Sequence, residues 1–190
     1  MTPSVATFSD SYCLILDELR RAMEAVDPGQ VEAFLDALQV SDKVFVVGVG
    51  RVMLSLQAFA KRLNHLGIRT HCVGDINEPA ITDKDLLVIG SGSGESLVPI
   101  AIAQKAHKYG ARIAHLGSNP RSSLAPLADI FVRIPVSTKL YLPDEIQSEQ
   151  IMSSLFEQSL YVLGDAVTLL LARRRDLDLT SLWQYHANLE

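Results

Sequence analysis

The stretch Asp85-Leu-Leu-Val-Ile-Gly-Ser-Gly-Ser-Gly-Glu-Ser96 decides the fold of this chain. Leu86 to Ile89 is a short, unbroken apolar run, the pattern of a strand buried on both faces of a helix-covered parallel sheet. Glycines and serines break the run, and Glu95 to Tyr109 then reads as a helix stopped by Gly110. The same pattern recurs on either side. Lys43-Val-Phe-Val-Val-Gly48 is a second apolar run, followed from Arg51 to Gly67 by helical spacing of Met53, Leu56, Ala60 and Leu63. Arg69 to Val73, Arg112 to Leu116 and Asp129 to Ile134 supply three more strands, the last closed by Pro135.

Strands separated by helix-length segments imply βαβ crossovers. The expected fold is therefore α/β, a three-layer αβα sandwich around a five-stranded parallel sheet, flavodoxin-like, with residues 1–190 forming one domain. Residues 5–40 read as two helices broken at Asp27-Pro28-Gly29. After the last strand, a loop from Ser137 to Asp144 leads into a long helix expected from Glu149 to Arg174, roughly 39 Å at helical rise. Its apolar content (Leu155, Phe156, Leu160, Leu163, Val167, Leu170, Leu171) exceeds what one sheet face needs. That surplus, with the apolar N-terminal helices, predicts a homodimer or homotetramer.

Composition narrows the function. The chain has 190 residues, 48% hydrophobic and 21% charged, with a mean hydropathy of +0.18. Seventeen Lys and Arg against 22 Asp and Glu leave a net charge of −5, which disfavours a nucleic-acid surface, since counterion release needs clustered cations. No uninterrupted run of about 18 apolar residues predicts a membrane span, and the start lacks the basic and apolar regions of a secretory signal. Cys13 and Cys72 cannot form a disulfide framework or a zinc site. His65, His71, His107, His115 and His186 contain no i, i+4 ligand pair. The expected setting is the cytoplasm, with a small-molecule partner, no metal and no cofactor.

Ligands of open parallel sheets bind beyond the carboxyl ends of the strands, where glycine-rich turns feed helix N-termini. Two such turns stand out. In Gly90-Ser91-Gly92-Ser93-Gly94-Glu95-Ser96 the glycines permit close backbone approach, helix-start amides favour an anion, and three hydroxyls add donors. Following a buried strand, this turn reads as a phosphate site without lysine, the alternative being a flexible loop with a serine N-cap; the Gly-Lys-Ser/Thr ending of a Walker A loop is absent. The second turn is Gly48-Val49-Gly50-Arg51. Met53 replaces the third glycine of a dinucleotide fingerprint, and the first acid, Asp75, comes late for a ribose carboxylate, so a nicotinamide cofactor is not expected. Arg51 either guards the ligand mouth or pairs on the surface. A serine nucleophile lacks its Gly-x-Ser-x-Gly elbow.

Together these two turns resemble the sugar isomerase (SIS) domain. The 6-phospho-3-hexuloisomerase branch is resembled more narrowly by several segments. These are Phe59-Ala-Lys-Arg-Leu-Asn-His65-Leu-Gly67, Gly74 through Pro79-Ala-Ile81, Gly117-Ser-Asn-Pro120, Leu155-Phe-Glu157-Gln158 and the ending His186-Ala-Asn-Leu-Glu190. The resemblance runs from about residue 30 to the end of the sequence. It implies interconversion of 3-hexulose 6-phosphate and fructose 6-phosphate through a cis-enediol in the ribulose monophosphate route. It also implies that Glu157 is the base, with His186 first and His65 second as partners that polarise the carbonyl or assist ring opening, often from a neighbouring subunit. Phosphate and substrate binding fall to Ser91, Gly92, Ser93, Gly94, Ser96, Gly48, Gly50 and Arg51.

Three stretches depart from the family pattern. Val52 stands where a substrate-contacting serine is usual, Ser153-Ser154 replaces a glycine and a hydroxyl residue, and Asp75-Ile-Asn-Glu78 is unusually acidic. A lost hydrogen bond to a sugar hydroxyl costs on the order of 1–3 kcal/mol, so another phosphosugar, such as a pentose 5-phosphate, is the alternative substrate. A non-catalytic phosphosugar-binding protein is the other alternative. Against it, only Arg20-Arg21 is basic before Lys43, and a sensor has no use for a carboxylate at position 157.

Overall fold

The computed structural model describes residues 7–189. The expected helix residues 5 and 6, and Glu190 of the terminal motif, lie outside them. Five strands, β1 (Val44–Val47), β2 (Thr70–Cys72), β3 (Leu86–Gly90), β4 (Arg112–Gly117) and β5 (Ile130–Arg133), form one sheet in the order β2-β1-β3-β4-β5. Every neighbouring pair is parallel, with Val44 opposite Leu86 and Leu86 opposite Arg112. The predicted flavodoxin-like α/β sandwich is the observed one.

Period-2 alternation divides the strand side chains between two cores. Val44, Val46, Leu86 and Val88 enter the larger core beneath helices α2 (Pro28–Val40), α3 (Arg51–His65) and α5 (Ser154–Arg174). Phe45, Val47, Leu87 and Ile89 enter the smaller one beneath α4 (Leu97–Lys108) and the 3₁₀ turn Ala125–Leu127. The first helix, α1 (Phe8–Glu24), starts in a Thr7–Asp10 capping box and packs on α5.

The long last helix begins at Ser154, five residues later than its apolar content predicts. Met152 adopts φ +53°, which breaks helical geometry just before it. At 21 residues α5 spans roughly 32 Å. By length and composition alone it is apolar enough to cross a membrane, yet 56% of its most apolar window is buried in this chain. Phe156, Leu160, Leu163 and Leu171 fill the larger core, and Gly164 lets α5 approach Phe59 of α3, where an added Cβ would stand 3.0 Å from the ring. Most of the surplus assigned to subunit packing is thus consumed within the chain. Phe8, Tyr12 and Leu16 on α1, with Tyr161 and Leu169 on α5, remain exposed.

Candidate active site

From β1 the chain crosses to β2 on one side and from there to β3 on the other, so the crevice between the ends of β1 and β3 is the topological switch point. Both glycine turns open there, and the loop from residue 137 to 153 supplies the facing wall. The cleft has a volume of about 710 Å³ and is lined by Gly50, Arg51, Ser91, Gly92, Ser93, Ser96 and Glu157, among others.

The turn after β3 is held from beneath. Its three successive carbonyls are all taken. Ser91 O accepts from His115 Nε2 at 2.9 Å, Gly92 O from the Ser118 amide at 2.9 Å, and Ser93 O from Asn119 Nδ2 at 3.2 Å. His115 is wholly buried, and burial pushes its pKa down to about 4, so the ring is neutral at pH 7 and the nitrogen facing the carbonyl carries the proton. With its carbonyls tied inward, the turn presents hydroxyls and the N-terminal end of α4 to the cleft. Pro99 in the first turn of α4 has no amide, and Ser96 at its N-cap makes no side-chain capping bond. Ser91 Oγ lies 3.4 Å from Ser96 Oγ.

The glycines serve packing more than ligand approach. A Cβ on Gly94 (φ +67°) would stand 2.3 Å from Ser122, and one on Gly90 would stand 2.8 Å from Val52 Cγ1. Gly48 is similarly crowded by Val52 and Leu56. Gly48 and Gly94 are not among the cleft-lining residues; they let α3 and the β4 loop close against the turns. Val52, where the family serine is expected, packs over Gly48 and Gly90 and turns an apolar surface to the cleft.

Glu157 stands on the first turn of α5, and its side chain is 12% exposed. Arg51, at the start of α3, reaches across and its Nε donates to Glu157 Oε2. Arg51 thus lines the cleft and is paired there with the carboxylate. The other carboxylate oxygen accepts from Ser153 Oγ at 3.0 Å, so the residue that departs from the family glycine adds a donor to Glu157. Ser55 Oγ fixes the Glu157 carbonyl at 2.9 Å.

The cleft has a further wall that neither glycine turn announces. Thr138, Lys139, Tyr141, Ser148 and Gln150 line the cleft, and Lys139 adds a cation. Buried Glu145 organises this loop by accepting from Ser118 Oγ, from Thr138 Oγ1 and its amide, and from the Leu142 amide. The polar run after β5 was the available signal, but it carries no periodicity. The acidic stretch 75–78 stays outside the cleft, where Glu78 takes the Gly74 amide at 2.6 Å.

His65 and His186 meet each other, not Glu157. Their rings stack at 6.1 Å, with Trp183 5.3 Å beyond, in a second cavity of about 620 Å³ between α3, α5 and the C-terminal segment. Fourteen helical steps along α3 separate His65 from Arg51, roughly 21 Å. Although His65 falls off the apolar stripe of its helix, it is only 8% exposed. Burial, then the charges of Arg62, Lys61 and His186, hold its pKa down. Its Nδ1 accepts from Arg62 at 3.3 Å, while Nε2 is buried without a partner among the described residues.

A serine-glycine turn thus sits at the switch point of a 2-1-3-4-5 parallel sheet and faces a carboxylate on the last helix, the arrangement that the resemblance to the sugar isomerase domain implies. Residues 37–159 match the SIS domain, and the chain belongs to the SIS domain family. It is 41% identical over 182 residues to the 3-hexulose-6-phosphate isomerase of Mycobacterium gastri, covering 96% of this chain and 91% of that one. With the 3-hexulose-6-phosphate isomerase of Bacillus subtilis (strain 168) it shares 38% identity over 176 residues, covering 93% of this chain and 95% of the relative. The crystal structure of a Methanococcus jannaschii protein, for which a molecular function of 3-hexulose-6-phosphate isomerase was inferred, superposes with a TM-score of 0.81 at 25% identity. That match covers 95% of this chain and 99% of the other.

Proposed function

We propose that this phosphosugar isomerase interconverts 3-hexulose 6-phosphate and fructose 6-phosphate through a cis-enediol, with Glu157 as the base. One observation carries the reading: Glu157 and the serine-glycine turn line the same cleft. The phosphate rests on Ser91, Ser93 and Ser96 and on the start of α4, where hydroxyls and helix-end amides favour a dianion. Glu157 takes the proton from C2 of the 3-ketose as the C3 carbonyl becomes an enediolate oxygen; the C2 hydroxyl passes its proton to that oxygen, and return of the carbon-bound proton to C3 leaves the carbonyl at C2 and a hydroxyl at C3. Arg51 must leave Glu157 Oε2 for that transfer, and with its side chain 65% exposed it swings at little packing cost. Beside the reacting carbons its charge then stabilises the enediolate.

Fructose 6-phosphate in deuterated water tests the reading. Wild type is expected to incorporate deuterium at the exchanging carbon. Glu157→Gln should lose exchange by roughly 10²–10⁴-fold, the scale of general-base catalysis, while keeping affinity for inorganic phosphate. Equal exchange in the variant removes Glu157 from the mechanism, and tight binding without exchange in wild type marks a sensor.

The histidines fit this chemistry as contributions to a neighbouring subunit's cleft, since within one chain they occupy a different cavity from Glu157. Mixing inactive Glu157→Gln and His186→Ala subunits should then restore a substantial fraction of wild-type activity. No recovery, with mixed assemblies demonstrated, would exclude the shared arrangement.

A further inference from the structure

The cleft wall that leads into Glu157 is tied down by a residue from the opposite end of the chain. Glu18 lies on α1, outside the residues 37–159 that match the family. It is 1% exposed, and among the described residues its carboxylate takes hydrogen bonds from the cleft loop. Oε2 accepts from Ser148 Oγ at 2.6 Å and from Gln150 Nε2 at 3.0 Å, and Oε1 accepts from the Glu149 amide at 2.8 Å. A buried carboxylate is costly unless its lone pairs are satisfied, and here three donors converge on it. Burial pushes its pKa up, but the bonds from Ser148, Glu149 and Gln150, with the Arg21 charge, outweigh burial and hold it below the usual glutamate range.

Ser148 and Gln150 line the cleft. Two residues further on, Met152 holds φ +53° while 90% exposed, so nothing in its own packing explains the conformation. Such a backbone persists where the surroundings over-determine it. The next residue is Ser153, whose hydroxyl sits on Glu157 Oε1, and α5 begins immediately after.

We propose that Glu18 is a positioning residue for the isomerisation: by clamping residues 148–150 it sets the Met152 turn, and through it the placement of Ser153 and the first turn of α5 that carries Glu157. The inference rests on Glu157 being the base, and it makes the N-terminal helix part of the active-site machinery.

The test is Glu18→Gln, whose amide brings donors where the loop already donates and cannot accept all three bonds. Two readouts are expected to move. Amides of residues 148–153 should exchange faster with deuterated solvent, with strand amides unchanged. The kcat on fructose 6-phosphate should fall roughly 10- to 100-fold, the scale of an ångström-level misplacement, while KM and inhibition by inorganic phosphate stay within about twofold. Combined with Ser148→Ala, the loss should be less than the product of the two single losses, because both act on one clamp. Glu18→Asp, which keeps the charge, should recover part of kcat. Unchanged exchange at 148–153, an unchanged kcat, or fully multiplicative losses would overturn the inference; so would a kcat loss that only tracks a lowered Tm. If wild type does not turn over fructose 6-phosphate but the variant's loop exchanges faster, the proposed substrate fails and the clamp stands.

Discussion

The two glycine turns at the switch point look alike in sequence and do different work. After β1, Gly50 is open: an added Cβ would meet nothing within 4 Å, and the residue is glycine because φ is +60° and ψ −136°. That turn aims one long side chain, Arg51, across the cleft to Glu157. After β3, Gly94 is both left-handed and enclosed, with Ser122 and His115 against it, and the turn's carbonyls are locked by the β4 side. The first turn is a pivot and the second a fixed cradle. In the proposed reaction a dianion needs donors that are already oriented, whereas a charge that must leave the base and stabilise an enediolate needs freedom to swing.

Substitutions can break this contrast. The largest effect is expected at Gly94→Ala, where backbone strain and overpacking add to about 4 kcal/mol of lost stability, read as a fall in the urea midpoint together with weaker inorganic phosphate binding. A midpoint within experimental error of wild type would mean the cradle is not enclosed. Gly50→Ala adds strain without a clash, so a loss of about 2 kcal/mol in the same titration is expected. If it proves as damaging as Gly94→Ala, the first turn is not an open pivot. The smallest change is Ser93→Ala, which removes one donor from the cradle. Its expected signature is a KM raised roughly fivefold with kcat nearly intact, matching about 1 kcal/mol for one hydrogen bond. A fall in kcat alone would place Ser93 in the chemistry instead.

How far the chain could be read in advance depended on locality. Lys43 to Gly48 and Asp85 to Gly90 are legible as strands because burial on both faces leaves a continuous apolar run. The serine-glycine turn is legible for the same local reason. The start of α5 was not, because Met152 and a clamp from Glu18, some 130 residues away, end what composition would extend to Glu149. Lys139, Ser148 and Gln150 escaped notice since an irregular loop has no period. The burial of His65 is not legible either, since its helical stripe says nothing of the C-terminal segment that covers it with Trp183 and His186.

Short-range chemistry, written in neighbouring residues, was enough to set the order of strands and helices, the parallel sheet and the serine-glycine turn at its carboxyl edge. What only the folded molecule decided was company: that Arg51 would sit on Glu157, that the histidines would gather elsewhere, and that a helix outside the matched family region would hold the cleft loop. Side-chain periodicity and turn chemistry act over a few residues, whereas such meetings depend on how helices settle on a sheet, which no single stretch of the chain encodes.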